Sequence, residues 1–244
     1  MSSNMQFCYF AFFEDRQNPA ARISADDLGR FRACVRNLQG LVKAHLYTPA
    51  TASDLYTNDG RPPIFGLQLY FDAIASLESA IGPDGALKRL AESGELESLR
   101  SAHVTQQAML NREFPVPDPA LPGTNACSFL VHYPGPADDV HEWHMRYLTN
   151  HPPLMARFPG VREIEVLTGI DWIDAMPWRR IRHMQRNRVM FDSADALTAA
   201  LHSPVRHEMR ADFARLPPFQ GGNFHYPMAT EIVRPLNRRE ANHG

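Results

Sequence analysis

Eleven histidines stand in this chain, and several sit where an imidazole could move a proton. His144, Tyr147 and His151 are spaced three and four apart in the run Asp139 to Leu154. On a helix they share one face with Val140, Trp143 and Leu154. Pro152 and Pro153 follow His151 directly, and proline pushes the residue before it away from helical angles. The expectation is therefore a helix that breaks just after His151, leaving its ring at a helix end with a pKa tuned near neutrality. There it could serve as general base or acid, with Tyr147 donating to a developing oxyanion. The plain alternative is a helix-terminal histidine bonded to a carbonyl, with Trp143 and Tyr147 as core aromatics.

His132 lies beside Tyr133 late in the apolar run Cys127 to Tyr133. A polar ring there needs a partner or a cavity; it could pair with His151 across a pocket, or be a satisfied core residue. In Phe224-His225-Tyr226, strand alternation turns His225 and Tyr226 to opposite faces, so at most one of them reaches a cavity. Trp172 and Trp178 mark a long loop that could act as a lid or simply be pinned to the surface. His141, Glu142 and His144 invite a metal, but their spacing of three is not the four of the zincin helix, and no carboxylate or cysteine cluster completes a shell. No metal site is expected.

The elements that must position these residues can be read from the chain as a whole. It has 244 residues, 44% hydrophobic and 21% charged, enough for one large domain or two ordinary ones. A net charge of -2 gives no basic field, so nucleic acid is not an expected partner. Three cysteines without a CxxC pair argue against a disulfide framework and fit a reducing cytoplasm. The apolar stretch Gln6 to Phe13 is too short to span a bilayer and reads as a buried strand, so no membrane partner is expected.

Laid over itself at an offset of 120, the chain brings Gly40 onto Gly160, Thr48 onto Thr168, Phe71 onto Phe191, Asp72 onto Asp192, Leu77 onto Leu197 and Ala80 onto Ala200. Each copy reads strand, helix, strand, long loop, strand, helix, strand, the ferredoxin-like β-α-β-β-α-β order. The expected organisation is a first repeat at 5–114, a proline-rich linker at 115–123, a second repeat at 124–235 and a polar tail at 236–244. One such sheet leaves an apolar face bare. Two in one chain can cover each other, giving an α+β fold in which two antiparallel sheets pack face to face as an intramolecular barrel.

The segment from Asp139 to Leu154, with its His151-Pro152-Pro153-Leu154 step and the Phe158-Pro159-Gly160-Val161 entry into the next strand, resembles the EthD-type motif of the dimeric α/β-barrel superfamily. The resemblance implies a pocket between sheet and first helix for a small hydrophobic or aromatic molecule, and it assigns the motif histidine to His151. Together with the residue readings above, this leaves Trp143, Tyr133, Leu154, Trp172, His225 and Tyr226 as candidate substrate contacts, beside His151, Tyr147, His132 and His144 as candidate catalytic groups. The first copy departs from the motif: Ser24, Asp27 and Phe31 stand at the positions of His144, Tyr147 and His151, and Phe12 at that of His132. One pocket should therefore have lost its chemistry.

Superfamily members perform cofactor-free proton transfers, dehydrations and oxygenations, and some bind haem, so fold analogy alone does not choose the reaction. The leading expectation is a cofactor-free lyase or isomerase for a small aromatic or phenolic substrate. The alternatives are a binding protein for a hydrophobic metabolite, and a haem-dependent or cofactor-independent oxygenase. A homodimer of chains is left open.

Overall fold

In the computed structural model the described residues are 6–119 and 125–236. The expected start at Met5, positions 120–123 at the end of the linker, the expected start of the second repeat at 124 and the tail beyond 236 lie outside them. The first repeat runs β1 (Gln6–Glu14), α1 (Ala25–Arg36), β2 (Leu41–Pro49), β3 (Phe65–Phe71), α2 (Ile74–Ile81), α3 (Ala86–Glu92) and β4 (His103–Phe114). The second runs β5 (Cys127–Tyr133), α4 (Val140–Met155), β6 (Val161–Gly169), the two-residue β7 (Arg179–Arg180), β8 (Gln185–Phe191), α5 (Ala194–Leu201), α6 (Pro204–Phe213) and β9 (Phe224–Val233).

The repetition extends to detail. β2 and β6, β3 and β8, and α2 and α5 are each 120 residues apart. A bulge breaks the β2 register between Leu41 and Lys43 and recurs in β6 between Val161 and Glu163. Gly40 and Gly160 both take positive φ, at 70° and 74°, ahead of these strands, a turn geometry that a side chain resists.

The two sheets do more than face each other. Within the repeats the strand orders are β4-β1-β3-β2 and β9-β5-β8-β6, and the repeats then join edge to edge, β2 with β9 and β4 with β6. Eight strands thus close a barrel within one chain, with β7 added in parallel against β4, and both repeats lose their open edges. Helices cover the outside, so β1, β3, β5 and β8 are buried on both faces, one toward the helices and one toward the lumen. No helix among the described residues is long and apolar enough to cross a membrane.

This double burial explains three apolar strands but not the fourth, since β8 buries Gln185, Arg186, Asn187 and Arg188. The lumen accommodates its arginines in two groups. Arg188 meets Glu165 at 2.7 and 2.8 Å; Tyr70 donates to the same carboxylate at 2.8 Å and Gln68 at 3.0 Å, while Tyr47 donates to Gln68 at 2.6 Å. Burial alone would raise the Glu165 pKa, but Arg188 outweighs it and holds the carboxyl well below the usual range. Breaking such a pair leaves the buried Arg188 with only the partly exposed Glu163 as its carboxylate partner. Glu165→Gln should lower stability by about 3 kcal/mol, read as a drop in the urea midpoint; a loss below about 1 kcal/mol would contradict this account of the lumen.

Candidate functional site

The helix that carries the motif starts on a side-chain cap: Asp139 Oδ1 accepts from the backbone of His141 and Glu142, both at 2.9 Å. It does not break after His151. α4 continues to Met155 with Pro152 and Pro153 inside it, which corrects the expectation from the proline pair. The prolines remove hydrogen bonds only from the final turns. Burial of His151, Pro152 and Met155 against the sheet and α6 then outweighs the local preference.

His151 is 5% exposed. Its Nδ1 lies 2.6 Å from Asp212 Oδ2 on α6. With Nδ1–H donating to that carboxylate, the neutral ring carries its lone pair on Nε2. Burial lowers the His151 pKa, Asp212 partly restores it, and the net position is below the ordinary imidazole value. Tyr147 sits one turn earlier with its ring centroid 4.5 Å from that of His151, its hydroxyl accepting from Asn187 and its face stacked on Trp143 at 5.0 Å. Tyr133, His225 and Thr57 join them around a cavity of about 50 Å³. Here an imidazole, a phenol and an amide converge on one small cavity.

Thr57 belongs to the first repeat, and its presence reveals an exchange of loops. Residues 50–64, between β2 and β3, reach over the second repeat's helices. Asp54 makes a two-point ion pair with Arg206 at 2.8 and 2.7 Å, Asp59 accepts from His225 at 2.6 Å, and Ser53 bonds His202 at 2.8 Å. Residues 170–184 cross the other way. Trp172, Met176 and Trp178 pack into the first repeat's helix-side core, where Trp178 meets Phe13 at 5.3 Å and Phe13 meets Phe31 at 5.8 Å. The tryptophan loop therefore closes over the first repeat, not over His151. Phe31, at the position of His151, is one of the rings that fill the equivalent space.

The other candidates separate. His132 faces the lumen, on the opposite side of the sheet from His151, packed between Phe12 and Tyr226 at 4.9 and 5.2 Å with Arg186 Nη1 2.7 Å from its Nε2. The acid/base pair of His132 with His151 is thus not formed. The alternation read in the last strand holds: His225 reaches the cavity and Tyr226 the lumen. His144 and Trp172 border a different cleft at the barrel's end. Trp143 stands behind Tyr147, and Leu154 packs in the helix-side core away from the cavity.

Asp212, Asn187, Arg206, Asp59 and Thr57 escaped the sequence reading. Ser203-Pro204 is a legible helix start, but nothing in the chain pairs Asp212 with His151. Among the described residues no group of three or more His, Cys, Asp or Glu could hold a metal.

No protein-family model matches the chain, and no curated protein matches it. Solved structures do. An anthrone oxidase-like protein aligns over 99% of this chain and 98% of its own at 12% identity and a TM-score of 0.62. A monooxygenase candidate from Lactobacillus acidophilus NCFM covers 95% and 97% at 10% identity and 0.55. A single-site mutant of chlorite dismutase from Candidatus Nitrospira defluvii covers 94% and 92% at 8% identity and 0.53. At such identities the likeness concerns the fold, and the fold is the dimeric α/β barrel closed within a single chain.

His45, His132, His144, His151 and His183 all have pKa values below the usual 6.5, with burial the largest cause in each, and His183 falls to about 3. The unfolded chain binds protons on these rings before the folded chain does, so stability rises with pH through this window and is lost as pH falls below 6.5. The urea midpoint should fall between about pH 7.5 and about pH 5.5; a flat midpoint would contradict the buried neutral rings.

Proposed function

We propose that this chain is a cofactor-free enzyme in which His151, oriented by Asp212, takes a proton from a small aromatic or phenolic substrate. The observation that carries the reading is the 2.6 Å contact between His151 Nδ1 and Asp212 beside a small cavity. A carboxylate on one ring nitrogen fixes the tautomer and raises the basicity of the other. To Tyr147, whose hydroxyl accepts from Asn187 and is hydrogen-bonded to Tyr133, we assign the donor to the oxygen on which negative charge develops, its proton turning from Tyr133 to the substrate.

The anion so formed has two fates. Reprotonation elsewhere gives an isomerase or lyase outcome, and reaction with dioxygen gives an oxygenase. The names of the anthrone oxidase-like protein and the monooxygenase candidate favour the second, so we assign oxygenation as the leading outcome. The finer placement in the EthD branch rests on the α4 motif.

Substrate entry requires the 50–64 loop to lift, since about 50 Å³ does not hold even one aromatic ring with its substituents. Parting Asp59 from His225 and withdrawing Thr57 widens that side. A haem is a different matter. Nε2 of His151 has the donor chemistry to bind a haem iron, but pockets for molecules of that size run from about 300 to about 1,000 Å³. The wall formed by Phe129, Val131 and Tyr133 would also have to retreat. The residues around His151 do not fit that group.

Oxygen uptake with a panel of anthrones and phenols should detect turnover. His151→Gln should lower kcat/KM by about 100-fold or more, and Asp212→Asn by about 10-fold with the fold retained. The acid limb of kcat/KM should lie below pH 6.5, following the lowered His151 pKa. Unchanged turnover in His151→Gln would sink the assignment. Added haem should give no tight Soret band; a stoichiometric one would overturn the fit argument.

A further inference from the structure

The last strand of each repeat meets a carboxylate brought over by the other repeat's crossing loop. In β9, His225 Nδ1 lies 2.6 Å from Asp59 Oδ2, and the same oxygen accepts from the His225 backbone amide at 2.7 Å. In β4 the corresponding residue is Gln106, since Val131 of β5 lies opposite His225 as Ala11 of β1 lies opposite Gln106. Gln106 Nε2 donates to Asp174 Oδ1 at 3.0 Å and to the Trp178 carbonyl at 2.9 Å, both on the loop at 170–184. An amide is therefore enough to tether a crossing loop. In the half where Phe31 stands in place of His151, an amide is what the strand carries; in the half that has His151, the strand carries an imidazole.

That imidazole shares its cavity with His151. Both line the space of about 50 Å³, His151 from α4 on the helix side and His225 from β9 on the sheet side. A charge on His225 is close enough to depress the His151 pKa. The His225 ring is stacked on Phe129, 5.4 Å between centroids and 26° from parallel, which together with Asp59 fixes its plane. With Nδ1–H donating to Asp59, Nε2 carries the lone pair, and Asn223 Nδ2 lies 3.3 Å from it. A bond of that length is readily exchanged for one to a substrate. The His225 hydrogen bond is the first cause holding the Asp59 pKa below its ordinary value, so the carboxylate stays ionised beside the ring.

We propose that His225, oriented by Asp59, is a second catalytic base, which takes a second proton from the substrate after His151 has taken the first. The inference rests on the function proposed for His151, with dioxygen as the oxidant. Where the reacting carbon is a methylene held between aromatic rings, as in anthrone, its two hydrogens stand on opposite faces of the ring plane, and the two imidazoles approach from opposite sides of the cavity. His151 removes the first hydrogen as a proton, and the carbanion adds dioxygen with formation of a C–O bond. The protonated His151 then gives its proton to the distal oxygen, which yields a hydroperoxide. His225 removes the second hydrogen as a proton. The C–H electron pair becomes the second C–O bond of the ketone, the O–O bond breaks, and the departing hydroxide takes the proton from His225 and leaves as water. The carbon loses four electrons, dioxygen gains four, and both rings end as they began. Because substrate entry parts Asp59 from His225, the second base is complete only once the loop at 50–64 has closed again.

The test separates the two proton losses with anthrone as the probe and the whole protein as catalyst. Without oxygen, in D2O, the first loss is followed as deuterium entering the methylene; with oxygen, uptake reports the complete reaction. His225→Gln places at this position the amide that Gln106 shows to be a sufficient tether. It should lower kcat for oxygen uptake by about 100-fold, let the hydroperoxide accumulate, and leave deuterium entry within about threefold of the wild type. Asp59→Asn should lower kcat by about 10-fold with deuterium entry likewise retained. His151→Gln should lose both. Oxygen uptake by His225→Gln within about threefold of the wild type overturns the proposal and leaves the His151 reading intact. Loss of deuterium entry together with uptake in His225→Gln also overturns it, because the residue then serves no separate step. A wild type that neither exchanges deuterium nor takes up oxygen overturns both readings.

Discussion

Two seams of backbone hydrogen bonds, β2 to β9 and β4 to β6, govern the rest of the molecule. Each repeat alone would present two open edges and a bare sheet face. The seams remove the edges and convert the bare faces into a lumen closed to water. Closure also makes the lumen a poor place for charge, and the chain nevertheless puts Arg186 and Arg188 there. Arg188 is matched by Glu165 and a ring of donors, while Arg186 has a neutral imidazole and the faces of Phe12 and Phe10 beside it but no carboxylate within ion-pair distance among the described residues. The barrel is thus electrically lopsided, settled at one end and positive at the other.

The same closure sets the fate of the two helix-side spaces. Joining the repeats edge to edge brings the long loop of each across the helices of the other. Where the incoming loop carries Trp172, Met176 and Trp178, it fills the space between sheet and helix with rings. Where it carries Asp54, Thr57 and Asp59, it lies on polar tethers and leaves a void beside His151. The divergent loops therefore leave one half filled with rings and the other with a small cavity beside His151. Phe31 and His151, at equivalent positions, each suit the half they occupy.

Much of this frame was legible in the chain because it depends on local patterns. The 120-residue offset, the glycines before β2 and β6 and the apolar runs of β1 and β5 are properties of short segments, and they led to the barrel. What could not be read depended on distant contacts. β8, as Gln-Arg-Asn-Arg, has the composition of an exposed strand, and only the lumen's own carboxylate and imidazole make it a buried one. The proline pair after His151 reads as a helix end, yet packing carries α4 past it. Asp212 lies sixty-one residues beyond His151, on a helix absent from the repeat pattern as first read. The candidate histidines were recognised by type, but their sorting among cavity, cleft and lumen follows from which face of which strand or helix each occupies.

The account turns on the state of one ring, and that state can be observed without a substrate. Long-range ¹H–¹⁵N spectra of histidine-labelled protein, with His151→Gln to assign the signals, report which nitrogen of His151 bears the proton at neutral pH. The account predicts a neutral ring protonated at Nδ1, with a deshielded proton shared with Asp212 and a bare Nε2. A doubly protonated ring at neutral pH, or a proton resident on Nε2, would contradict it.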